Sequence, residues 1–278
     1  MDKNQGSLYI VSTPIGNLND ITFRAIEVLN TVDVCAAEDT RVSGVLFKKY
    51  GIQTKLVSFH KFSEKGKTDG FINLLKSGKD VALISDAGTP LISDPGGYLV
   101  EKAIENGISL VPIPGVTSVI SALTVSGFDL ENFTFFGFFP RKLKERKKIL
   151  KTISSSRFPS VLFESGKRLE KLFGYMSEAL EAKSRVLVAR EITKLHETFY
   201  RGTVNNIKEI VLGAEFGNKG EFVIVIEGSE VEESNTPYNE SHLLEVLMKR
   251  LDRKLALELA SEILNKKRNY LYRLKLKD

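Results

Sequence analysis

Over the first 126 residues, short apolar runs rich in β-branched residues alternate with longer helix-like segments. The runs Leu8–Ser12, Val32–Ala36, Lys55–Ser58, Val81–Ile84 and Ser109–Val111 read as strands. The segments Thr22–Leu29, Asp39–Tyr50, Thr68–Lys76, Gly97–Glu105 and Val116–Ser126 read as helices. Near-continuous apolar strands separated by helices predict a parallel sheet covered on both faces, because each crossover lays a helix against one face. The expectation is α/β: an N-terminal doubly wound, mostly parallel sheet of about five strands over residues 1–126.

The pattern then changes. Phe133–Phe139 is an aromatic strand, followed by the basic helix Lys142–Ile153, strand Ser160–Phe163 and helix Lys167–Leu180. Arg185–Arg190 and His196–Arg201 read as strands with no helix between them, and Val204–Leu212 and Glu221–Glu227 as a helix and a strand. Strands so close in sequence pair antiparallel, so a second α/β domain with a mixed sheet is expected over 127–229. Ser229–Ser241 is acidic and polar and reads as a linker. Beyond it Leu243–Leu251, Leu255–Leu264 and Tyr270–Leu276 read as short helices, forming a small appendage over 241–278.

Composition adds limits. With 278 residues, 42% of them apolar and 27% charged, the chain is an ordinary globular one, long enough for two domains. Its single cysteine, Cys35, lies in an apolar run and reads as a small buried hydrophobe. No basic cluster followed by an apolar stretch marks a signal peptide, and no run is long enough to span a membrane; a cytoplasmic location is expected. The three histidines are scattered without metal-ligand spacing, so no metal is expected. Net charge is −1 over residues 1–124, +4 over 125–230 and +2 over 231–278, which points to a polyanion facing the later segments.

Ligands of doubly wound sheets bind beyond the carboxyl ends of the strands. Three loops at such ends are rich in Gly, Pro and small polar residues: Thr13–Asn17 (TPIGN), Ser85–Gly97 (SDAGTPLISDPGG) and Pro112–Ser118 (PIPGVTS). Neither a GxGxxG nor a GxxxxGK[ST] fingerprint occurs, which argues against a dinucleotide or a nucleoside triphosphate in the standard modes. A ligand with adenosine but no phosphate fits better. Asp86 and Asp94, with free backbone groups around them, suit a polar, cationic small molecule.

These residues carry a resemblance. TPIGNLNDIT (Thr13–Thr22), AEDTR (Ala37–Arg41), VALISDAGTPLISDP (Val81–Pro95), Pro114–Gly115, Gly137–Arg141, AREITK (Ala189–Lys194) and GEFVIV (Gly220–Val225) occur in order across most of the chain. The combination resembles the tetrapyrrole methylase superfamily, and within it the bacterial ribosomal RNA small-subunit methyltransferase I family. The resemblance implies S-adenosylmethionine as methyl donor, bound between the two domains. It implies a ribose 2′-hydroxyl of a decoding-region cytidine in 16S ribosomal RNA as acceptor, in the free RNA or the small ribosomal subunit, and a homodimer. Two stretches depart from the family: FESGKR (Phe163–Arg168) has Gly166 and Lys167 where Pro and His are usual, and PGVTS stands where PGPSA is common.

Candidate roles follow. Pro14, Ser85, Asp86, Ala87, Gly88, Pro90, Asp94, Thr117 and Ser118 are donor-binding candidates. Asp86, Glu191, Lys194 and Arg41 are the catalytic candidates, since a ribose hydroxyl is a poor nucleophile and gains from a nearby acceptor. Each has a plainer alternative: Asp86 and Asp94 as turn or cap residues, Asp39 as a helix cap, Glu191 and Lys194 as a surface ion pair. Glu38, Asp39, Arg41 and His60 are candidates for orienting the substrate. The run Arg141–Lys151, with seven basic residues and one Glu, offers Arg141, Lys142 and Arg146 to phosphate, while Arg168 and the tail residue Arg268 complete the RNA candidates. The alternatives are a methylase of a tetrapyrrole or other small acceptor, and a non-catalytic nucleotide- or RNA-binding module. The basic segments count against the first and the carboxylate-bearing loops against the second.

Overall fold

The computed structural model describes residues 5–213, 219–229, 240–264 and 266–272. Five strands, β1 (Ser7–Val11), β2 (Val34–Ala37), β3 (Lys55–Ser58), β4 (Val81–Ile84) and β5 (Ser109–Ile113), form one sheet in the order β3-β2-β4-β1-β5. Every pairing in it is parallel. The crossover helices are α1 (Phe23–Thr31), α2 (Thr40–Tyr50), α3 (Glu64–Lys76) and α4 (Gly97–Glu105), with α5 (Ser118–Thr124) after the last strand. On β4, Val81 and Leu83 pack into one core with Phe71 and Leu99, while Ala82 and Ile84 pack into another with Ala25 and Phe47. The doubly wound expectation follows from that two-sided burial.

Local chemistry explains where the helices begin. Thr22 caps α1 by accepting from the Ala25 amide, and Asp39 caps α2 by accepting from the Arg41 amide. α3 starts a turn earlier than expected, because Gly66 and Gly70 weaken the helical signal in a segment that tertiary contacts nevertheless fold. Its first residue, Glu64, accepts from the amides of Gly96 and Tyr98 at 3.0 and 2.8 Å. A carboxylate 32 residues away thus caps α4, so Asp94 is not that cap.

The second sheet has the order β6-β7-β10-β8-β9, from β6 (Thr134–Phe138), β7 (Ser160–Ser165), β8 (Arg185–Arg190), β9 (Thr198–Thr203) and β10 (Glu221–Ile226). β6 and β7 run parallel and the other pairs antiparallel, giving a mixed sheet. β9 begins two residues later than expected, and the helices α6 (Leu143–Ser154), α7 (Gly166–Ala179) and α8 (Val204–Leu212) cover one face. Alternation is strict on β10: Phe222, Ile224 and Ile226 face those helices, and Val223 and Val225 face Val119, Ala122 and Leu123 of α5. Because α5 packs on the second sheet, both sheets belong to one compact unit, Met1–Ser229.

A second compact unit, Glu230–Asp278, holds α9 (Glu240–Met248), α10 (Arg253–Leu264) and α11 (Arg268–Tyr272) around Leu244, Leu257, Ala260, Leu264 and Leu271. Most of the expected linker and the end of the expected last helix lie outside the described residues. Cys35 is fully buried, and burial pushes its thiol well above the usual range. No helix among the described residues is long and apolar enough to cross a membrane.

Candidate active site

β4, β1 and β5 are neighbours in the first sheet, so the loops after them emerge side by side. Direct bonds join these loops. Thr13 and Gly88 exchange backbone hydrogen bonds of 2.9 and 3.0 Å, making a single antiparallel bridge. The hydroxyls of Ser12 and Thr89 lie 2.9 Å apart, and Thr89 donates to the Val116 carbonyl at 3.3 Å. Gly115 has no choice of side chain: a Cβ there would stand 2.8 Å from the Ser12 Cβ.

The second sheet closes the other side. Asn17 donates its amide to Thr193 Oγ1 at 3.0 Å, and a Cβ on Gly16 would stand 2.5 Å from Lys194 Cγ. Between these walls lies a cavity of about 360 Å³, within the range of small-molecule sites. Glu38, Asp86, Gly88, Asp94, Thr117 and Ser118 line it from the first sheet. Phe138, Phe163, Glu164, Ile192, Glu221 and Phe222 line it from the second. A register shift on β6 between Phe135 and Phe138 accompanies the placing of Phe138 at the cavity.

Three carboxylates gather on the first-sheet side. Burial pushes the carboxyls of Glu38, Asp86 and Asp94 above their usual range; repulsion from Asp94 and Asp86 adds to it at Glu38, from Asp86 at Asp94, and from Asp39 at Asp86. Against this, Asp86 accepts from the Asp39 amide at 2.9 Å, and Asp94 is hydrogen-bonded by Ser85. A cation in the cavity would relieve all three at once.

The backbone here is unusual. Leu91, Ser93, Glu191 and Thr193 have φ of 76°, 74°, 50° and 67°, and they are the only non-glycine residues with positive φ among those described. All four fall in the two segments flanking the cavity. Local strain of this kind collects where the surrounding structure fixes a loop for use.

The candidate residues separate by position. Asp86, Ala87, Gly88, Asp94, Thr117 and Ser118 of the donor group line the cavity, as does Glu38. Pro14, Ser85 and Pro90 are buried and do not line it. Thr117 sits at the N-cap of α5 but makes no capping bond there. Asp39 and Arg41 form an ion pair at 2.6 Å outside the cavity lining, and that contact pulls the Asp39 carboxyl down to about 2. His60 is exposed, beside the ring of Phe62.

Glu191 and Lys194 do not line the cavity; they build the turn beneath Ile192. Lys194 Nζ lies 3.1 Å from Glu191 Oε1 and 3.0 Å from Glu221 Oε2, while the Glu221 amide donates to Glu191 at 2.7 Å. Burial raises the Glu191 carboxyl, but these partners outweigh it and hold it below the usual range. For Lys194 burial acts to lower the ammonium and the two carboxylates prevail, leaving it raised.

Of the basic candidates, Arg146 donates to the Pro140 carbonyl at 2.7 Å and lies over the rings of Phe139 and Tyr175. Arg168 donates to the Phe139 carbonyl and meets Glu164 at 3.2 Å. Lys142 is exposed, 3.5 Å from Glu145, and Arg141 is exposed. In the second unit Arg268 pairs with Glu258, Tyr270 donates to Glu240 at 2.8 Å, and Arg253 lies 4.7 Å from the Tyr272 ring centre. What sequence reasoning missed is the second-sheet wall: Phe138, Phe163, Glu164 and Phe222. The available signal was Glu164, a lone carboxylate in the apolar strand SVLFES, buried to 2% exposure.

Comparison with known proteins agrees with this geometry. The family described as Tetrapyrrole (Corrin/Porphyrin) Methylases matches residues 7–208. The chain is 41% identical over 272 residues to the ribosomal RNA small subunit methyltransferase I of Escherichia coli O157:H7, covering 98% of this chain and 95% of that one. It is 42% identical over 231 residues to the protein of that name from Bacillus subtilis (strain 168), covering 83% and 78%. Among solved structures, cobalt precorrin-4 methyltransferase, a cobalamin biosynthetic enzyme, aligns with a TM-score of 0.60 at 19% identity, over 80% of this chain and 94% of its own. Uroporphyrin-III-C-methyltransferase from Thermus thermophilus aligns with a TM-score of 0.57 at 21% identity, over 80% and 94%. These last two speak for the fold. The chain belongs to the tetrapyrrole methylase family and, within it, to the ribosomal RNA small subunit methyltransferase I group of methyltransferases.

Proposed function

We propose that the chain transfers the methyl group of S-adenosylmethionine to the ribose 2′-hydroxyl of a decoding-region cytidine in 16S ribosomal RNA. The observation that carries the donor is the cavity itself, where Glu38, Asp86 and Asp94 are held close together at raised proton affinity. When bound, S-adenosylmethionine supplies a methyl group made electrophilic by a sulfonium charge. Glu38, Asp86 and Asp94 offset positive charge, and the stitched loops orient the ligand with backbone groups already in place. Ile92, Phe138 and Phe163 give the cavity an apolar wall against which the ligand can pack. Alignment of this kind supplies roughly 7–11 kcal/mol of a barrier to displacement.

The RNA acceptor is supported by the relatives' names, which cover nearly the whole chain, and by the cationic residues of the second half. We include in the proposal a homodimer, a cytoplasmic location, and two domains at 1–126 and 127–229 with an RNA-contacting appendage at 241–278. A methylase of a tetrapyrrole is the second reading, favoured only by the fold neighbours. The test supplies methyl-labelled S-adenosylmethionine with naked 16S RNA and with small subunits that lack the modification. Label in RNA, recovered as 2′-O-methylcytidine after digestion, is expected. Absence of label from both RNA substrates refutes the acceptor, and a base-methylated product refutes the reaction site.

A further inference from the structure

A second cavity, of about 330 Å³, opens on the helix-covered side of the second sheet. Half-buried Tyr175 supplies aromatic surface with Phe139 buried behind it, and four cations line the cavity: Arg141, Arg146, Arg168 and Lys171. A single carboxylate, Glu164, lines it too, and Glu164 also lines the donor cavity. One buried side chain therefore forms a wall common to both spaces.

The groups around this cavity differ in how they are held. Arg168 is fixed by the carbonyls of Phe139 and Pro140, and Arg146 by Pro140 and two rings. Arg141 and Lys171 have no hydrogen-bond or ion-pair partner among the described residues, and both are exposed at the rim. Glu164 Oε1 accepts from the Ser165 amide at 2.8 Å. Glu164 Oε2 is buried and lacks a hydrogen bond, for although Arg168 comes within 3.2 Å the contact lacks hydrogen-bond geometry.

A ligand that answers this arrangement needs an anion for the rim, a flat face for the aromatic side and a hydroxyl donor for the buried acceptor. A phosphate or sulfate ion alone would leave Glu164 unanswered and set a carboxylate against the anion. A ribonucleotide has all three parts. We propose that the second cavity seats a single-stranded ribonucleotide of the acceptor RNA, with its phosphate on Arg141 and Lys171 and a ribose hydroxyl on Glu164 Oε2. This rests on the reading of RNA as acceptor, and adds where the strand is gripped. Because Glu164 borders both cavities, a ribose held there lies next to the donor. Arg146 and Arg168 are positioning residues, keeping Glu164 and the rim in place.

Two measurements test it and keep its failure apart from that of the RNA reading. Calorimetry on the intact wild-type protein compares cytidine monophosphate with its 2′-deoxy counterpart; a preference for the ribose form of about ten-fold is expected for one hydrogen bond to a charged acceptor. Steady-state methyl transfer to small subunits then compares wild type, Arg141→Gln/Lys171→Gln, and the charge-matched pair Lys76→Gln/Lys79→Gln, two exposed lysines at and just beyond the end of α3 that line neither cavity. The rim variant is expected to raise the KM for subunits about ten-fold and to flatten its salt dependence, with kcat and donor affinity unchanged. Equal binding of the two nucleotides overturns the proposal, as does an unchanged KM or an equal loss in the charge-matched pair. Ribose preference in a protein that methylates no RNA would leave the cavity standing and refute the acceptor.

Discussion

The amide of Asn17, in a loop of the first sheet, donates to the hydroxyl of Thr193, in a turn of the second, at 3.0 Å. Gly16 beside it lets the loop lie against Lys194 and the Ile192 carbonyl. Gly16→Ala puts a methyl group into that contact, and the Ile192 carbonyl at 3.2 Å is backbone and yields little. We expect a loss of about 1–3 kcal/mol in stability, as for an overpacked core, together with weaker donor binding. Denaturant unfolding and calorimetry check both; an unchanged midpoint would mean that the two loops separate without cost.

Donor affinity should fall in acid. Glu38, Asp86 and Asp94 have proton affinities raised in the folded protein, so the unliganded protein gains stability as pH falls toward the ordinary carboxylate range and loses it as pH rises through their raised values. A cationic ligand has the opposite preference, binding the ionised form. Calorimetry in buffers of different ionisation enthalpy near pH 5 should show proton release on binding S-adenosylmethionine, and less for S-adenosylhomocysteine, which lacks the sulfonium. Equal proton release for both would show that the carboxylates do not sense that charge.

Asp86→Asn separates charge from hydrogen bonding. The amide oxygen still accepts from the Asp39 backbone, while the burial and repulsion that raise the Asp86 carboxyl are removed. The variant should be as stable as wild type or better, and bind S-adenosylmethionine about five-fold more weakly, the ~1 kcal/mol of a partly solvated charge pair. Thermal unfolding and calorimetry read the two effects. Unchanged affinity would make Asp86 a structural residue.

Ser93 is exposed and held at φ 74°, a conformation that costs a non-glycine residue roughly 1–2 kcal/mol. Ser93→Gly removes that cost and adds chain entropy to the unfolded state, for a net gain of about 0.5 kcal/mol. The same change loosens a cavity wall, so donor affinity should drop while the unfolding midpoint rises. A lowered midpoint would show that Ser93 makes a contact worth more than its strain.

Much of the first sheet was legible because its strands are short, apolar and bounded by turn residues, and VALI before SDAGTP is the clearest case. The donor loops were legible for a related reason: Gly and Pro concentrate where backbone must turn and approach. Glu64 was not, since nothing local to a helix start shows that its carboxylate will cap another helix 32 residues on. Phe138, Phe163 and Phe222 read as core because they sit in regular strands, and only the packing of two sheets turns their ends into a wall. Glu191 and Lys194 read as chemistry by their charge. The structure engages both in holding a turn with positive φ.

The bridge between Thr13 and Gly88 has a consequence in time. Each residue both donates to and accepts from the other, so neither amide can meet solvent until β1 and β4 draw apart. These two loop amides should therefore exchange with deuterium at the slow pace of the central strands, while their loop neighbours exchange freely. A floor that opens only when the sheet opens is already formed when a ligand arrives. Entry then costs little ordering of that floor.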